Sequence, residues 1–468
     1  MVLKNKAENF YNGYIFPVCI ASLVALCHVF DLVHLGVLLA SLLCSLGFLV
    51  CRDLKFFICP LLCLYFIISE RTLANEELYS TSSIVFLSVC IVVLIGCIVA
   101  HFIIYRKEID LKPFVNSKLR NGFILISVLF IINGMLAFKI YNSTNLIFGL
   151  LIAISFILPF FIFSINLKID RSTVDYLMNV LMIIAGVVAI ELICLYFTDV
   201  YITEEGIIVK DSIKLGWGIS NNVGAVLAML MPAFFYRATR SRLSFLYFMG
   251  GISIYLLVIM TLSRASILFS TLCLALCLLF MCFGKYRGRG IIIGLTSVIF
   301  VAGIFLFFHF KEDLRLIFHG IVSAGLDGSD RLKYYIDGLN KFLEHPILGA
   351  GFGNSHGVND KFIIASPEYF HNTIIQVLAS CGILGFAAYS YHRYETVKLL
   401  IKNRNTEAFF TAAIIMTLLL TSLLDIHMFN IFPAFFYSVI LCIFERSSRE
   451  LKLEPDDKAM ISDQITTE

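Results

Sequence analysis

The chain has 468 residues, of which 59% are hydrophobic and only 15% are charged, and its mean hydropathy is +0.89. Soluble globular domains are nearer a quarter charged, so this composition excludes an ordinary soluble protein. Apolar stretches of about twenty residues, enough for one bilayer crossing, recur along the chain. No small-residue cleavage site follows the first stretch, which argues against a secretory signal peptide. We therefore expect an all-α polytopic integral membrane protein.

Fourteen apolar ranges are candidate membrane spans, and we expect about 12–14 transmembrane helices. The ranges are 14–30, 32–50, 54–69, 83–105, 121–138, 145–166, 174–198, 220–236, 243–262, 264–283, 291–310, 372–391, 408–424 and 428–445. The spans within the first hundred residues are short, and the range of 12–14 allows for two fewer crossings there.

The connections between these ranges alternate in charge. Every second connection is basic: Arg52/Lys55, Arg106–Arg120, Lys168/Arg171, Arg237/Arg240/Arg242, Lys285/Arg287/Arg289 and Arg393–Arg404. The others are acidic or mixed: Glu70/Glu76/Glu77, Asp199/Glu204/Glu205/Asp211 and the segment 311–371. Because cytoplasmic loops are rich in Lys and Arg, we expect both termini in the cytoplasm and the segment 311–371 on the outer face.

This pattern divides the chain into three parts. We expect N-terminal transmembrane helices over 1–210, a second membrane domain over 211–445 that contains the large loop 311–371, and a cytoplasmic tail over 446–468. The tail is polar and mixed in charge, which is typical of a disordered end.

The loop 311–371 is too long for a simple connection. Ser329 is a suitable helix N-cap, and apolar residues from Leu332 to Leu343 then follow a helical period up to Pro346, which stops the helix. The sequence predicts an amphipathic helix that lies on the membrane surface or covers the ends of the spans. A glycine-rich turn, 348–354, follows. Its glycines, including Gly351, allow a ligand to approach main-chain N–H groups, unless the turn is only a flexible linker.

Four residues from distant parts of the chain are predicted to share the outer face. Arg264 lies at the junction of two apolar spans, Arg331 opens the amphipathic helix, His371 opens the twelfth span and Asp425 lies in the turn between the last two spans. Each has an ordinary structural interpretation as well, namely an interfacial anchor, a solvated charge, a helix cap and a turn residue. An arginine in an apolar context is nevertheless a functional candidate by default.

These residue types suit the transfer of a group away from a diphosphate. Arginines bind phosphate bidentately and neutralise a diphosphate leaving group. A histidine with a pKa near neutrality can take the proton of an attacking hydroxyl, and an aspartate can orient it. No metal or other cofactor is expected, since arginines can carry the phosphate charge. Glu191, inside the seventh span, is interpreted as a buried paired group.

The fourteen cysteines lie nearly all within or beside apolar stretches. Cys273 and Cys277 share a helical face without histidine or acidic neighbours. We interpret the cysteines as small packing residues, neither disulfides nor metal ligands.

The motifs around these residues resemble those of the bacterial O-antigen ligases and the related O-antigen and capsule polymerases. The stretch His371-Asn372-x9-Gly382-Ile383-Leu384-Gly385 resembles the family's His-Asn-x9-Gly-x-x-Gly pattern. Further similar elements are Ser263-Arg264-Ala265, Arg331 followed by Pro346-Ile347-Leu348-Gly349-Ala350-Gly351, Asn222 at the start of the eighth span, and Asp425. The resemblance covers about residues 215–430.

The resemblance implies a membrane glycosyltransferase of the GT-C type in the bacterial inner membrane. Such an enzyme takes a glycan from undecaprenyl diphosphate on the periplasmic face and passes it to an acceptor hydroxyl, with inversion and without metal. Arg264 and Arg331 would hold the diphosphate, and His371 would activate the acceptor. Asn372, Asp425, Asn222 and Gly351 would help to bind the substrates.

The acceptor and the partners stay open at this point. A ligase uses the lipid A core and a polymerase uses another lipid-linked repeat unit, and the motifs do not separate the two. Besides membrane lipids, a chain-length regulator and a flippase are implied as partners, whereas a nucleic acid is not. The competing interpretations are a lipid-linked oligosaccharide transporter, whose site would lie near the bilayer midplane, and a non-catalytic scaffold for polysaccharide export.

Overall fold

The computed structural model describes residues 2–68, 81–136, 143–204, 208–286, 288–309, 329–352 and 369–465. Several features predicted from the sequence lie outside these ranges, namely Glu70, Glu76, Glu77, Glu205, Arg287 and the parts 311–328 and 353–368 of the large loop.

The described chain is almost entirely helical. The helices are α1 Val2–Asn12, α2 Ile15–Val29, α3 Val33–Val50, α4 Ile58–Cys63, α5 Thr81–Ile104, α6 Lys112–Val115, α7 Arg120–Leu136, α8 Ser143–Asn166, α9 Thr173–Thr198, α10 Ser220–Arg240, α11 Ser244–Met260, α12 Arg264–Phe283, α13 Arg289–His309, α14 Ser329–Glu344, α15 Thr373–Lys402, α16 Thr406–Thr421 and α17 Ile431–Ile465. Short 3₁₀ turns flank α4 at Leu54–Phe57 and Leu64–Ile67, and two more lie at Lys210–Ser212 and His427–Phe429. Strands β1 Lys214–Leu215 and β2 Gly218–Ile219 form an antiparallel hairpin.

Each of the fourteen predicted spans falls on a helix or a helical segment, and the all-α polytopic membrane class is confirmed. Among the described residues, seven helices are long and apolar enough to cross a membrane: α3, α5, α8, α9, α12, α15 and α17. The pair α1 and α2, bent by 57°, makes an eighth if it is one span. Shorter apolar helices occupy most of the other predicted ranges. The number of crossings stays a prediction.

Helix α10 lies at the centre of the bundle and is buried along most of its length. It packs against α9, α11, α12 and α16. A Cβ on Gly224 would lie 2.6 Å from the Thr261 hydroxyl oxygen and 2.8 Å from that of Ser266, so only glycine fits this contact. The close approach fixes the turn that leads into α12, and Arg264 is the first residue of that helix.

The N-terminal helices pack directly onto later ones. Helix α9 lies against α10, and α8 lies against α17, so tertiary contacts cross residue 210, the boundary predicted from the sequence. The two predicted membrane domains therefore share one packed helical core, and the division at residue 210 stays a prediction.

The prediction of a disordered tail after Glu445 is wrong, because α17 continues without a break to Ile465. Glu445 accepts hydrogen bonds from the Ser117 hydroxyl and the Lys118 N–H, both 2.6 Å long. Arg446 donates to the Leu167 carbonyl at 2.7 Å. Glu445 and Arg446 thus form hydrogen bonds with groups near the ends of other helices. These bonds stabilise α17 at the start of the segment for which the composition alone indicated disorder.

A buried polar contact holds the β1–β2 hairpin against the bundle. The indole N–H of Trp217 donates to a carboxylate oxygen of Glu191 at 2.8 Å, and the other oxygen lies 3.8 Å from Nδ1 of His28. The Tyr65 hydroxyl donates to the Trp217 carbonyl at 3.1 Å. Glu191 is fully buried, so the interpretation of this residue as a buried paired group is confirmed. The hairpin carries the chain from α9 to the start of α10.

We predict that Trp217→Phe destabilises the protein, because the ring packing is largely kept while the buried Glu191 loses its donor. An unsatisfied buried polar group costs about 1–3 kcal/mol. The thermal unfolding midpoint of the purified protein in detergent should fall. Tyr201→Phe is the control. It also removes one polar group from an aromatic side chain in the connection between α9 and α10, but that side chain is exposed. An unchanged midpoint for Trp217→Phe would contradict the prediction.

Candidate functional site

The start of α15 brings His371 and Asp425 together. Nδ1 of His371 lies 3.4 Å from Oδ1 of Asp425, and the two side chains are 35% and 14% exposed. Asp425 belongs to the connection between α16 and α17, so residues far apart in the chain form this pair. The ring is accessible from outside the bundle, whereas the carboxylate lies deeper. This is the arrangement expected of a base and the group that orients it.

Asn372 locks this junction in place. Its side-chain oxygen accepts from the N–H groups of Ile374 and Ile375 and so caps α15, and its amide nitrogen donates to the Leu423 carbonyl at 2.9 Å. These contacts connect the first turn of α15 to the connection that carries Asp425. The structure therefore gives Asn372 a positioning role, and direct substrate contact by this residue stays a prediction.

His371 has a strained main chain. Its φ is +49°, in the left-handed region that non-glycine residues rarely adopt. The ring centroids of His371 and Tyr334 lie 5.2 Å apart, and the Tyr335 hydroxyl donates to the His371 carbonyl at 3.4 Å. Both tyrosines belong to α14, so this helix helps to hold the histidine. Strain that the surroundings maintain is typical of functional residues.

Helix α14 has the predicted bounds, from Ser329 to just before Pro346. A Cβ on Gly338 would lie 2.5 Å from Ile375 and 2.9 Å from Phe370, so α14 packs tightly on the start of α15. The remaining apolar side chains form an exposed stripe: Leu332, Ile336, Leu339 and Leu343. One face of α14 thus supports the site, and the other faces away from the described chain.

The segment 345–352 docks into a break in α15. Gly382 has φ +61° and ψ −164°, which interrupts the helix. Four main-chain hydrogen bonds fill the interruption: Ala350 N–H to Ala379 O (2.8 Å), Gly351 N–H to Ser380 O (3.0 Å), Ile383 N–H to Pro346 O (2.8 Å) and Leu384 N–H to Ile347 O (3.3 Å). The main-chain N–H and C=O groups of α15 that the break would leave unpaired therefore have hydrogen-bond partners.

This docking corrects the expectation for the glycine-rich turn. The N–H of Gly351 donates to α15 and is not available to a ligand. A Cβ on Gly349 would lie 2.3 Å from the nitrogen of Cys381, and one on Gly382 would lie 2.4 Å from the Ile347 oxygen. The glycines allow two main chains to meet, and Gly351 belongs to the scaffold of the site.

Three cations gather beside the His371–Asp425 pair. Arg264 is half-buried at the start of α12, and Arg331 is exposed on α14. Among the described residues neither guanidinium makes a hydrogen bond or an ion pair. Lys210 donates to the side-chain oxygen of Asn221 at 3.1 Å. Burial lowers the pKa of Lys210, and the positive charges of Arg264 and Arg331 lower that pKa further, so the three groups share one region.

Lys210 was not identified from the sequence. It lies in an acidic connection, and no periodicity or motif marks it. Its partner Asn221 adjoins Asn222, the residue predicted to bind substrate. Asn222 instead lines a narrow space with Trp217 and His427. Contact between Asn222 and a substrate stays a prediction.

The aspartate remains charged within this cluster. Burial acts to raise the pKa of Asp425, but contact with the His371 ring, the charge of His427 and the Ile426 N–H outweigh it, and the pKa falls well below its usual value. Burial lowers the pKa of His427, which favours its neutral form. Asp211 adds a second carboxylate beside Lys210, so at neutral pH two carboxylates face three cations, which leaves excess positive charge suited to an anion.

We predict that Gly382→Ala releases the segment 345–352 from α15, because the new Cβ would collide with the Ile347 carbonyl and the main chain would be strained. Hydrogen exchange of Ala350 and Gly351 should accelerate. Gly294→Ala on α13 is the matched control, since nothing lies within 4 Å of its added Cβ. Unchanged exchange in Gly382→Ala would contradict the docking.

The comparisons with known proteins agree with the motifs. No curated protein matches the chain. A family model, Wzy_C, described as O-antigen ligase, matches residues 253–390. That range contains Arg264, Arg331 and His371, and it ends before Asp425. Over residues 253–390 the chain is therefore similar to the O-antigen ligase family that its motifs resemble.

Proposed function

We propose that this protein transfers a glycan from undecaprenyl diphosphate to the hydroxyl of an acceptor sugar, on the periplasmic face of the bacterial inner membrane. The family supports a role in membrane glycan assembly. The observation that carries the finer proposal is the grouping of the His371–Asp425 pair, 3.4 Å apart, with Lys210 and with two arginines that have no partner among the described residues.

The reaction is a single displacement. The acceptor oxygen forms a bond to the anomeric carbon of the donor glycan, and the bond from that carbon to the diphosphate oxygen breaks, with inversion. The acceptor proton passes to His371. Since Nδ1 of His371 faces Asp425, Nε2 is the nitrogen that takes the proton, and the ionised Asp425 stabilises the imidazolium that results.

The leaving diphosphate departs with the bonding electrons and gains negative charge. Arg264 and Arg331 can bind its oxygens bidentately, because neither is committed to a carboxylate among the described residues. Lys210 adds a third positive charge. Like charges held close together repel one another, so a diphosphate that enters the cluster relieves an unfavourable arrangement. The cluster supplies the charge that a metal ion would otherwise provide, and the proposed reaction proceeds without one.

We predict that His371→Ala lowers the turnover number about 10²–10⁴-fold, the range for loss of a general base. Arg264→Ala should lower it about 10²–10³-fold through loss of charge stabilisation. The assay follows transfer of a lipid-linked glycan by the purified full-length protein in the presence of a chelator. Arg242→Ala, which removes an exposed arginine distant in sequence from the cluster, is the control. Full activity of His371→Ala or Arg264→Ala, with normal insertion, would refute the mechanism.

We predict a different effect for Lys210→Met. If this cation binds the diphosphate, the KM for the donor should rise about tenfold, the scale of a lost hydrogen bond to a charged group. The KM for the acceptor should change little. Lys214→Met, at an exposed lysine on the neighbouring strand, provides the matched comparison. Equal donor KM values in the two variants would remove Lys210 from the site.

The acceptor separates a ligase from a polymerase, and a deletion strain distinguishes them. If the strain carries single repeat units on its lipid A core, the lost protein is a polymerase. If long chains remain on the undecaprenyl carrier, it is a ligase.

A further inference from the structure

A cavity of about 160 Å³ is lined by residues close in the chain to both His371 and Asp425. It lies between the first turns of α8 and α15 and the start of α17. Tyr369 lines it two residues before His371, and Phe429 and Asn430 line it shortly after Asp425. Tyr65, Phe148 and Phe352 complete the aromatic part of the wall. Short stretches of main chain thus connect the wall of the cavity to both His371 and Asp425.

The wall of this cavity is mostly aromatic and is rigidly packed. The ring centroids of Phe352 and Phe429 lie 5.6 Å apart, and both contact Phe130, at 5.4 and 5.8 Å. Gln376 is committed to the scaffold, since its oxygen accepts from the Phe370 N–H and its nitrogen donates to Ser380. The Asn430 side chain makes no hydrogen bond to any residue that the structure describes. The cavity therefore combines apolar faces with one uncommitted amide.

This composition fits a sugar ring. A pyranose presents C–H groups on its faces, which pack against aromatic rings, and hydroxyls at its rim, which an amide or a phenol can bind. Ligand sites commonly combine an apolar wall with a few polar groups that fix orientation. A volume of about 160 Å³ suits one monosaccharide ring and is too small for a repeat unit of several sugars.

The cavity and Arg264 are built from different helices. Arg264 begins α12, which packs against α10 and α16. The cavity is lined by α8, which packs against α7 and α17. Asp425 lies on the connection from α16 to α17. In an inverting displacement the incoming hydroxyl approaches opposite the leaving group. With the diphosphate on the cations, the proposed reaction therefore needs a separate place for the acceptor, and the cavity offers one.

We propose that this cavity binds the terminal sugar ring of the acceptor, with Asn430 and Tyr369 as its specificity-determining contacts. The proposal rests on the proposed glycan transfer and names the place of its second substrate. A ligase and a polymerase would differ in which sugar fits here, but both would use the same cavity.

The test is a set of steady-state measurements on the full-length protein in nanodiscs, with a lipid-linked glycan as donor and a soluble glycoside of the acceptor sugar as the varied substrate. Tyr369→Ala and Asn430→Ala should each raise the acceptor KM about tenfold, the scale of one lost hydrogen bond, and leave the donor KM within about twofold. Tyr369→Phe, which keeps the ring, should have a smaller effect. Tyr201→Ala, at an exposed tyrosine outside the cavity, should change neither value.

A rise in the donor KM would place the donor in the cavity, and a fall in kcat with unchanged KM values would show a purely structural role. Either result overturns the proposal. If an alanine variant fails to fold, Tyr369→Phe and Asn430→Asp provide the same comparison. Failure of the proposed function looks different, because the unmodified protein would then transfer no glycan to any acceptor.

Discussion

The main-chain contact between the segment 345–352 and the break in α15 supports the arrangement of the rest of the site. Helix α15 begins with the histidine and its cap, and the segment 345–352 continues directly from α14, which carries Arg331. Four hydrogen bonds and the close approach of Gly349 and Gly382 join the two. The distance from Arg331 to His371 therefore depends in part on a contact in which no side chain takes part. The same contact explains physically why two glycine motifs, far apart in the sequence, accompany the candidate site residues.

The second constraint is electrostatic. Two guanidinium groups and an ammonium group meet at one end of the bundle, where Asp211 and Asp425 supply fewer negative charges, and Asp425 is already engaged by His371. Such a cluster costs free energy in the empty protein. The packing of α10 against the turn before α12 and the buried Trp217–Glu191 contact hold Arg264 and Lys210 in this unfavourable position. The stability of the bundle thus maintains a site that is prepared for an anion.

The sequence predicted those features whose signals are local. Helical bounds such as Ser329 to Glu344 follow from a cap, a periodicity and a proline, and the spans follow from hydropathy. Arg264, His371 and Asp425 were found because a polar residue stands out in an apolar context. The break at Gly382 and the helical tail could not be found in this way, since both depend on partners distant in the sequence. Lys210 lies among other charged residues in the sequence, and only the folded connection between α9 and α10 shows that it lies in the same region as the two arginines.

The exposed stripe on α14 has a consequence for how substrates arrive. Leu332 and Leu343 are 61% and 71% exposed, and an apolar stripe of this kind favours a helix that lies flat at the boundary between headgroups and acyl chains. In the proposed reaction the donor is a polyprenyl diphosphate, whose diphosphate would lie at the same depth because its chain is anchored in the bilayer. Encounter would then be a search in two dimensions, with a rate that depends on the surface density of the carrier, not on any bulk concentration. Polar substitutions along the stripe would change the tilt of α14 and therefore the depth of the Arg331 side chain relative to the bilayer.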